Sequence, residues 1–136
     1  MSIGRSISAR IEKEISELDP DERQEFIDAL GFTDPASRRV IRASYEALGL
    51  RSFFTGANPN QELRAWTVQG GDTALAAAGK IHTDIARGFI RAEVSGWEDV
   101  LAAGSSKHAR TQGKARLEGK DYVVRDGDVI LFRFNV

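Results

Sequence analysis

The sequence predicts an α+β protein, with a helical segment over residues 1–49 and a mixed-sheet domain over 50–136. Three observations predict it. Apolar residues recur at helical spacing up to Gly49 and at a spacing of two beyond it, and short small-residue runs stand between the later strands. The chain has 136 residues, 41% of them apolar and 29% charged, which suits one core or a core with an appendage.

Each helix of the first third carries its own signal. Ile11, Ile15 and Leu18 form one stripe of a short amphipathic helix. Asp19-Pro20-Asp21-Glu22 sets a capping Asp before a proline at the first helical position, with Glu22 placed for a capping box. That helix turns Phe26, Ile27 and Leu30 inward and stops at Gly31. Asp34-Pro35 repeats the start device, Val40, Ile41, Tyr45 and Leu48 form the next stripe, and Gly49 repeats the stop.

After Gly49 the aromatic and branched runs Leu50–Thr55 and Leu63–Val68 read as a hairpin around the turn-rich Gly56-Ala57-Asn58-Pro59-Asn60. Asp72–Ala78 reads as a short helix ending at Gly79, its small side chains suited to lying close across a sheet. Phe89–Val94 alternates, with Ile90, Ala92 and Val94 on one face and Arg91 and Glu93 on the other. Trp97–Ala103 is a further short helix closed by Gly104. Short strands at Ala115–Glu118 and Tyr122–Val124 follow, and the Asp126-Gly127 turn leads into a strand over Val129–Val136. There Ile130, Phe132, Phe134 and Val136 share a face. The β-grasp arrangement of ubiquitin-like domains fits this order.

Composition excludes several chemistries. With no cysteine there is no disulfide, thiolate metal site or cysteine nucleophile, and with only two histidines a structural zinc site would need several carboxylates and is not expected. No run of 18 apolar residues occurs, and Met1–Arg10 lacks the apolar core of a signal peptide, so a cytoplasmic protein without membrane contact is expected. A phosphate-cradling loop needs glycines followed by Lys and Ser/Thr, whereas Gly113-Lys114 is followed by Ala115. The chain ends in a strand rather than a flexible Gly-Gly, which argues against a ubiquitin-like carrier.

Charge divides unevenly. Residues 1–49 carry seven Lys/Arg and ten Asp/Glu, and residues 50–136 carry twelve and ten. Within Gly104–Lys120, Lys107, Arg110, Lys114, Arg116 and Lys120 stand against Glu118 alone, in a Gly- and Ser-bearing stretch that reads as a mobile loop able to neutralise phosphates. A solvated surface loop is the plain alternative. Arg91 and Arg133 point away from the apolar faces of their strands, where a sheet can present them to unpaired bases. Trp66 is either a core residue, the preferred reading, or an exposed neighbour of Arg64. His82 and Asp84 read as a surface histidine beside a capping Asp84 rather than a base and its orienter, and Asp126 and Asp128 as turn residues rather than cation ligands.

Several motifs together carry a resemblance. They are Arg64-Ala65-Trp66-Thr67; Ala77-Ala78-Gly79-Lys80-Ile81-His82-Thr83-Asp84; Gly88-Phe89-Ile90-Arg91-Ala92-Glu93-Val94; Leu117-Glu118-Gly119-Lys120-Asp121-Tyr122-Val123-Val124; and Phe132-Arg133-Phe134-Asn135-Val136. They closely resemble the TGS domain of the YchF-type, Obg-like ATPases, over essentially all of 50–136. Ser8-Ala9-Arg10-Ile11-Glu12 and the helix after it resemble the end of that family's nucleotide-binding domain, with Arg10 where lysine is common; within 50–136, the longer Gly56–Asn60 region and Leu131, where histidine is frequent, depart from the family pattern. The resemblance implies a cytoplasmic, ribosome-associated protein that hydrolyses ATP or GTP, with magnesium, on a domain whose P-loop is missing from these residues. No cofactor is expected in this chain itself.

The leading expectation is a non-catalytic module that engages structured RNA or the ribosome. Lys107, Arg110, Lys114, Arg116 and Lys120 form its phosphate-neutralising surface, with Lys80, Arg87 and Arg91 as a second patch. The alternative is an interaction or regulatory module that docks on a nucleotide-binding domain, in cis or trans, or self-associates through the apolar stripe of the first helix.

Overall fold

The computed structural model describes residues 7–135, so the expected place of Val136 in the last strand lies outside the described residues. The chain divides into two compact units between Leu48 and Gly49.

The first unit holds α1 (Ala9–Glu17), α2 (Pro20–Ala29) and α3 (Ala36–Ala47). The Ser8 side chain caps α1 by accepting from the Ile11 N–H. Asp19 sits at the N-cap of α2 with Pro20 behind it, but its side chain makes no capping bond and the expected capping box is absent. Both Asp19 and Glu22 are exposed, so solvent can serve the donors of that helix end. At α3 the cap position is Pro35, one residue late, because Asp34 instead turns its carboxylate to Arg42 at 3.2 Å and Arg38 at 3.8 Å. Glu12 ties α1 to α3, accepting from the Ala36 N–H at 3.4 Å and from Arg39 at 3.3 Å.

Ile15, Ile27 and Ala36 are buried in this unit. Leu30, expected inside, is 40% exposed at the C-cap of α2, and the α3 stripe is open, with Val40 at 45%, Ile41 at 58% and Leu48 at 65%. The uncovered stripe therefore lies on α3 and not on the first helix, whose Ile15 is enclosed.

The second unit holds β1 (Leu50–Thr55), β2 (Arg64–Gln69), α4 (Ala74–Ile81), α5 (Thr83–Arg87), β3 (Phe89–Gly96), α6 (Trp97–Ala103), α7 (Ser106–Thr111), β4 (Arg116–Glu118) and β5 (Asp128–Phe134). The sheet order is β2-β1-β5-β3-β4, with β1 and β5 parallel and the other neighbours antiparallel. This is the β-grasp arrangement that the element order predicts.

One face of the sheet is the main core. Phe53, Val94, Ile130 and Phe132 meet Ala74, Ala77 and Ala78 of α4 there, and Phe132 meets Phe53 and Phe89 edge-on at 6.2 and 6.1 Å. The alanines do bring α4 close. The helix also runs through Gly79 to Ile81 instead of ending there, since burial of Ala77 and Ala78 holds it past the weak residue. Trp66 packs against the edge of this core with its indole N–H donating to Thr55 Oγ1 at 2.9 Å. The opposite face carries α6 and α7 over Phe54, Val100, Ala109 and Val129.

Four strand expectations are corrected. A bulge between Phe89 and Arg91 resets the alternation, so Phe89 enters the core and Ile90 is exposed, apart from Ala92 and Val94. Tyr122–Val124 is not a strand and Asp126-Gly127 joins no hairpin. The Tyr122 carbonyl accepts from the Ala74 N–H at 2.7 Å, and the Val124 N–H donates to the Asp72 carbonyl at 3.0 Å, so this segment spends its backbone at the start of α4. Asp126 Oδ1 accepts from the Ser52 N–H at 2.8 Å, and the Gly127 N–H donates to the Ser52 carbonyl at 2.8 Å, which delivers β5 alongside β1. Gly127 has φ +86, and a β-carbon there would collide with the Trp97 ring. Phe134, expected on the core face, is exposed at the strand end.

Candidate nucleic-acid interface

The basic stretch after Gly104 is folded rather than a mobile loop. Ser105 caps α7 by accepting from the His108 N–H at 3.1 Å, and Ala109 is buried on the second face of the sheet. The β1–β2 connection completes the anchor: Asn58 Oδ1 accepts from the Lys107 N–H at 2.8 Å, and the Ala57 carbonyl from the Ser106 N–H at 2.9 Å. Lys107 and Arg110 therefore project from a fixed turn of helix, with Lys114 and Arg116 on the path into β4 and Lys120 just beyond it.

The eight cations do not share one fate. Arg110 faces Glu93 at 3.4 Å, and Arg133 holds the other oxygen of the same buried carboxylate at 2.9 Å. Arg116 lies 3.2 Å from Glu118 and 3.9 Å from Asp128. Arg87 pairs with Asp84 at 2.8 Å. Lys107, Lys114, Lys120, Lys80 and Arg91 are exposed and have no acidic partner among the described residues. Lys80 and Arg87 ride on α4 and α5, which cover the main core face, while Lys107 and Arg110 ride on α7 across the sheet. Arg91 sits opposite Arg133 in the β3–β5 pairing. The structure thus groups Lys107, Arg110, Arg91 and Arg133 with the Glu93 face and separates Lys80 and Arg87 from them.

Beside β4 a polar chain forms: Arg116 Nη2 donates to Tyr122 Oη at 2.6 Å, which donates to Asp128 Oδ2 at 2.7 Å. Burial pushes the Tyr122 phenol above its ordinary value, and the Asp128 charge adds to this because it opposes a phenolate. Burial works against the Arg116 cation, but its bond to Tyr122 and the charges of Asp128 and Glu118 leave its pKa raised. Arg116 is held in place by this chain, which leaves it less free for a phosphate.

The remaining candidates have structural work. His82, not Asp84, caps α5: its Nδ1 accepts from the Asp84 N–H at 3.0 Å, and the Asp84 carboxylate lies 3.6 Å from the same nitrogen. Asp126 and Asp128 are engaged by backbone N–H groups of Ser52 and Arg125. Among the described residues no group of three or more His, Asp or Glu is placed to hold a metal ion. Gly113 closes α7 with φ +74 and Lys114 leads into β4, the reverse of a strand-loop-helix phosphate cradle, so these residues do not fit ATP or GTP with magnesium. Sequence reasoning missed Ser95, Asn58 and Gln61. With Glu93, Lys107 and Arg110 they line a cavity of about 250 Å³ between α7, the β1–β2 connection and the sheet.

The family model "YchF-GTPase_C: Protein of unknown function (DUF933)" matches residues 50–135. The chain is 52% identical over 130 residues to the ribosome-binding ATPase YchF of Bacillus subtilis, covering 96% of this chain and 35% of that protein. It is 45% identical over 128 residues to the Obg-like ATPase 1 of Pongo abelii, covering 94% and 32%. The solved Schizosaccharomyces pombe YchF GTPase superposes with a TM-score of 0.75 at 29% identity, over 93% of this chain and 33% of that one. The chain spans about a third of the length of the curated relatives it matches.

Proposed function

This chain belongs to the YchF C-terminal family, and from that premise we propose that it is a non-catalytic module that engages structured RNA of the ribosome. The observation that carries the reading is the set of exposed lysines at 107, 114 and 120, close in sequence and without acidic partners among the described residues. That relatives in Bacillus subtilis and Haemophilus influenzae are ribosome-binding ATPases supports the choice of target. Lys107, Lys114 and Lys120 make the phosphate contacts, assisted by Arg110, with Arg91 on the same side of the sheet. Lys80 and Arg87 form a separate, weaker patch. ATP or GTP hydrolysis belongs to the portion of the longer relatives outside this match, and this chain alone turns over neither. A cytoplasmic location follows from the ribosomal target, and no helix among the described residues is long and apolar enough to cross a membrane.

Binding of the full chain to ribosomal RNA at rising salt tests this. Replacing Lys107, Lys114 and Lys120 by Gln should flatten the logarithmic salt slope by roughly 2 to 3, since each phosphate contact contributes about 0.7–0.9. An unchanged slope with unchanged affinity removes these residues from the interface.

A second reading rests on the open stripe of Val40, Ile41 and Leu48. There the helical unit docks on the nucleotide-binding part of a longer chain, or on a second copy when that part is absent. Sedimentation with and without RNA weighs the two readings: a monomer that binds RNA supports the first, and a concentration-dependent dimer indifferent to RNA supports the second.

A further inference from the structure

The cavity beside α7 combines features that the surface lysines do not. Glu93 and Ser95 line it from β3, and both are nine-tenths buried, at 8% and 4% exposed. Ser106 lines it from α7, and its hydroxyl is buried with no hydrogen-bond partner among the described residues, an unusual state for a buried polar group. Each Glu93 oxygen meets one arginine, Arg110 at 3.4 Å and Arg133 at 2.9 Å, so the carboxylate is neutralised yet keeps lone pairs for another donor. Asn58 Nδ2 donates to Gln61 Oε1 at 3.1 Å, which leaves the Gln61 amide N–H groups available at the mouth.

We propose that this cavity takes one unpaired nucleotide of a bound RNA strand, with the base inside and its phosphate on Lys107 at the rim. The inference rests on the RNA reading above and deepens it. At about 250 Å³ the space falls below the range of about 300–1,000 Å³ typical of drug-sized ligands, which suits one planar ring and excludes a stacked pair. Arg110 offers a guanidinium plane and Leu131 an apolar wall for the ring faces. The Glu93 carboxylate accepts from an exocyclic amine, so cytosine or adenine is preferred to uracil, whose exocyclic groups are acceptors. Ser95 supplies a further donor or acceptor at the base edge. A duplex cannot enter, because its bases are paired and stacked.

The test is a residue-resolved NMR titration of the full chain with three probes: a single-stranded cytidine heptamer, a uridine heptamer and an RNA duplex of matched charge. The expected result is that Ser95, Gln61 and Leu131 shift with the cytidine strand and stay silent with the duplex, and that the cytidine strand binds more tightly than the uridine strand. Ser95→Ala keeps the β-carbon and should weaken cytidine binding by about two- to tenfold with an unchanged salt slope. If that variant fails to fold, the wild-type titration decides alone. Cavity signals that stay silent while Lys107 responds equally to all three probes would overturn this inference and leave the RNA reading standing. Failure of every probe, and of ribosomal RNA, to bind would overturn both.

Discussion

The two units treat their apolar and charged side chains in opposite ways. The sheet unit encloses Phe53, Val94 and Ile130 and turns a basic excess outward, whereas the helical unit is acidic and leaves Ile41 and Leu48 more than half exposed. The difference teaches that one unit closes a core of its own and presents charge at its surface, while the other leaves an apolar surface without a cover.

The largest test of that contrast is a pair of truncations. Phe53 is fully buried and meets Phe132 edge-on, so Phe53→Ala should cost about 3–5 kcal/mol in urea unfolding of the sheet unit. Ile41→Ala, at an exposed position, should stay within about 0.5 kcal/mol. A loss under about 1 kcal/mol for Phe53→Ala would show that the core is not closed, and the contrast would fail.

The next effect concerns association. The chain alone should sediment with a mass that rises with concentration, and Val40→Ser with Ile41→Ser should abolish the rise without lowering thermal stability measurably. A wild-type chain that stays monomeric throughout would show that the α3 stripe does not pair with itself, leaving a nucleotide-binding part as its only proposed cover.

Much of this contrast was legible in the sequence, for identifiable reasons. The glycine stops at 31 and 49, the alanine helix and the period-two strands are local signals, and the structure follows them. Helix α7 was not legible, because its six residues are mostly polar and its anchor is Asn58, 49 residues away. The bulge at Ile90 and the diversion of Tyr122–Val124 to the start of α4 are likewise set by distant partners. At the site, the cations could be read from their spacing but their neutralisation could not. Arg133 meets Glu93 across 40 residues, and Arg116 reaches Asp128 only once β5 is in place. The cavity was invisible for the same reason, being made by four segments (the β1–β2 connection, β3, α7 and β5) that only the fold assembles.

The smallest expected effect sharpens the contrast from the polar side. The Arg116–Tyr122–Asp128 chain ties the sheet unit to itself, and it depends on the Tyr122 proton that Asp128 accepts. In the unfolded chain that phenol titrates near 10, and in the folded chain burial and Asp128 raise it. Above pH 10 the folded state therefore binds the proton that the unfolded state has released, and stability falls as pH rises through that window. Unfolding midpoints of the wild type should decline there more steeply than those of Tyr122→Phe. The variant lacks the titrating group and carries instead a pH-independent loss of about 1 kcal/mol from the missing hydrogen bond. Parallel declines in the two proteins would mean that other groups set the alkaline limit. They would leave the tie between β4 and β5 to packing and to the Arg116 charge alone.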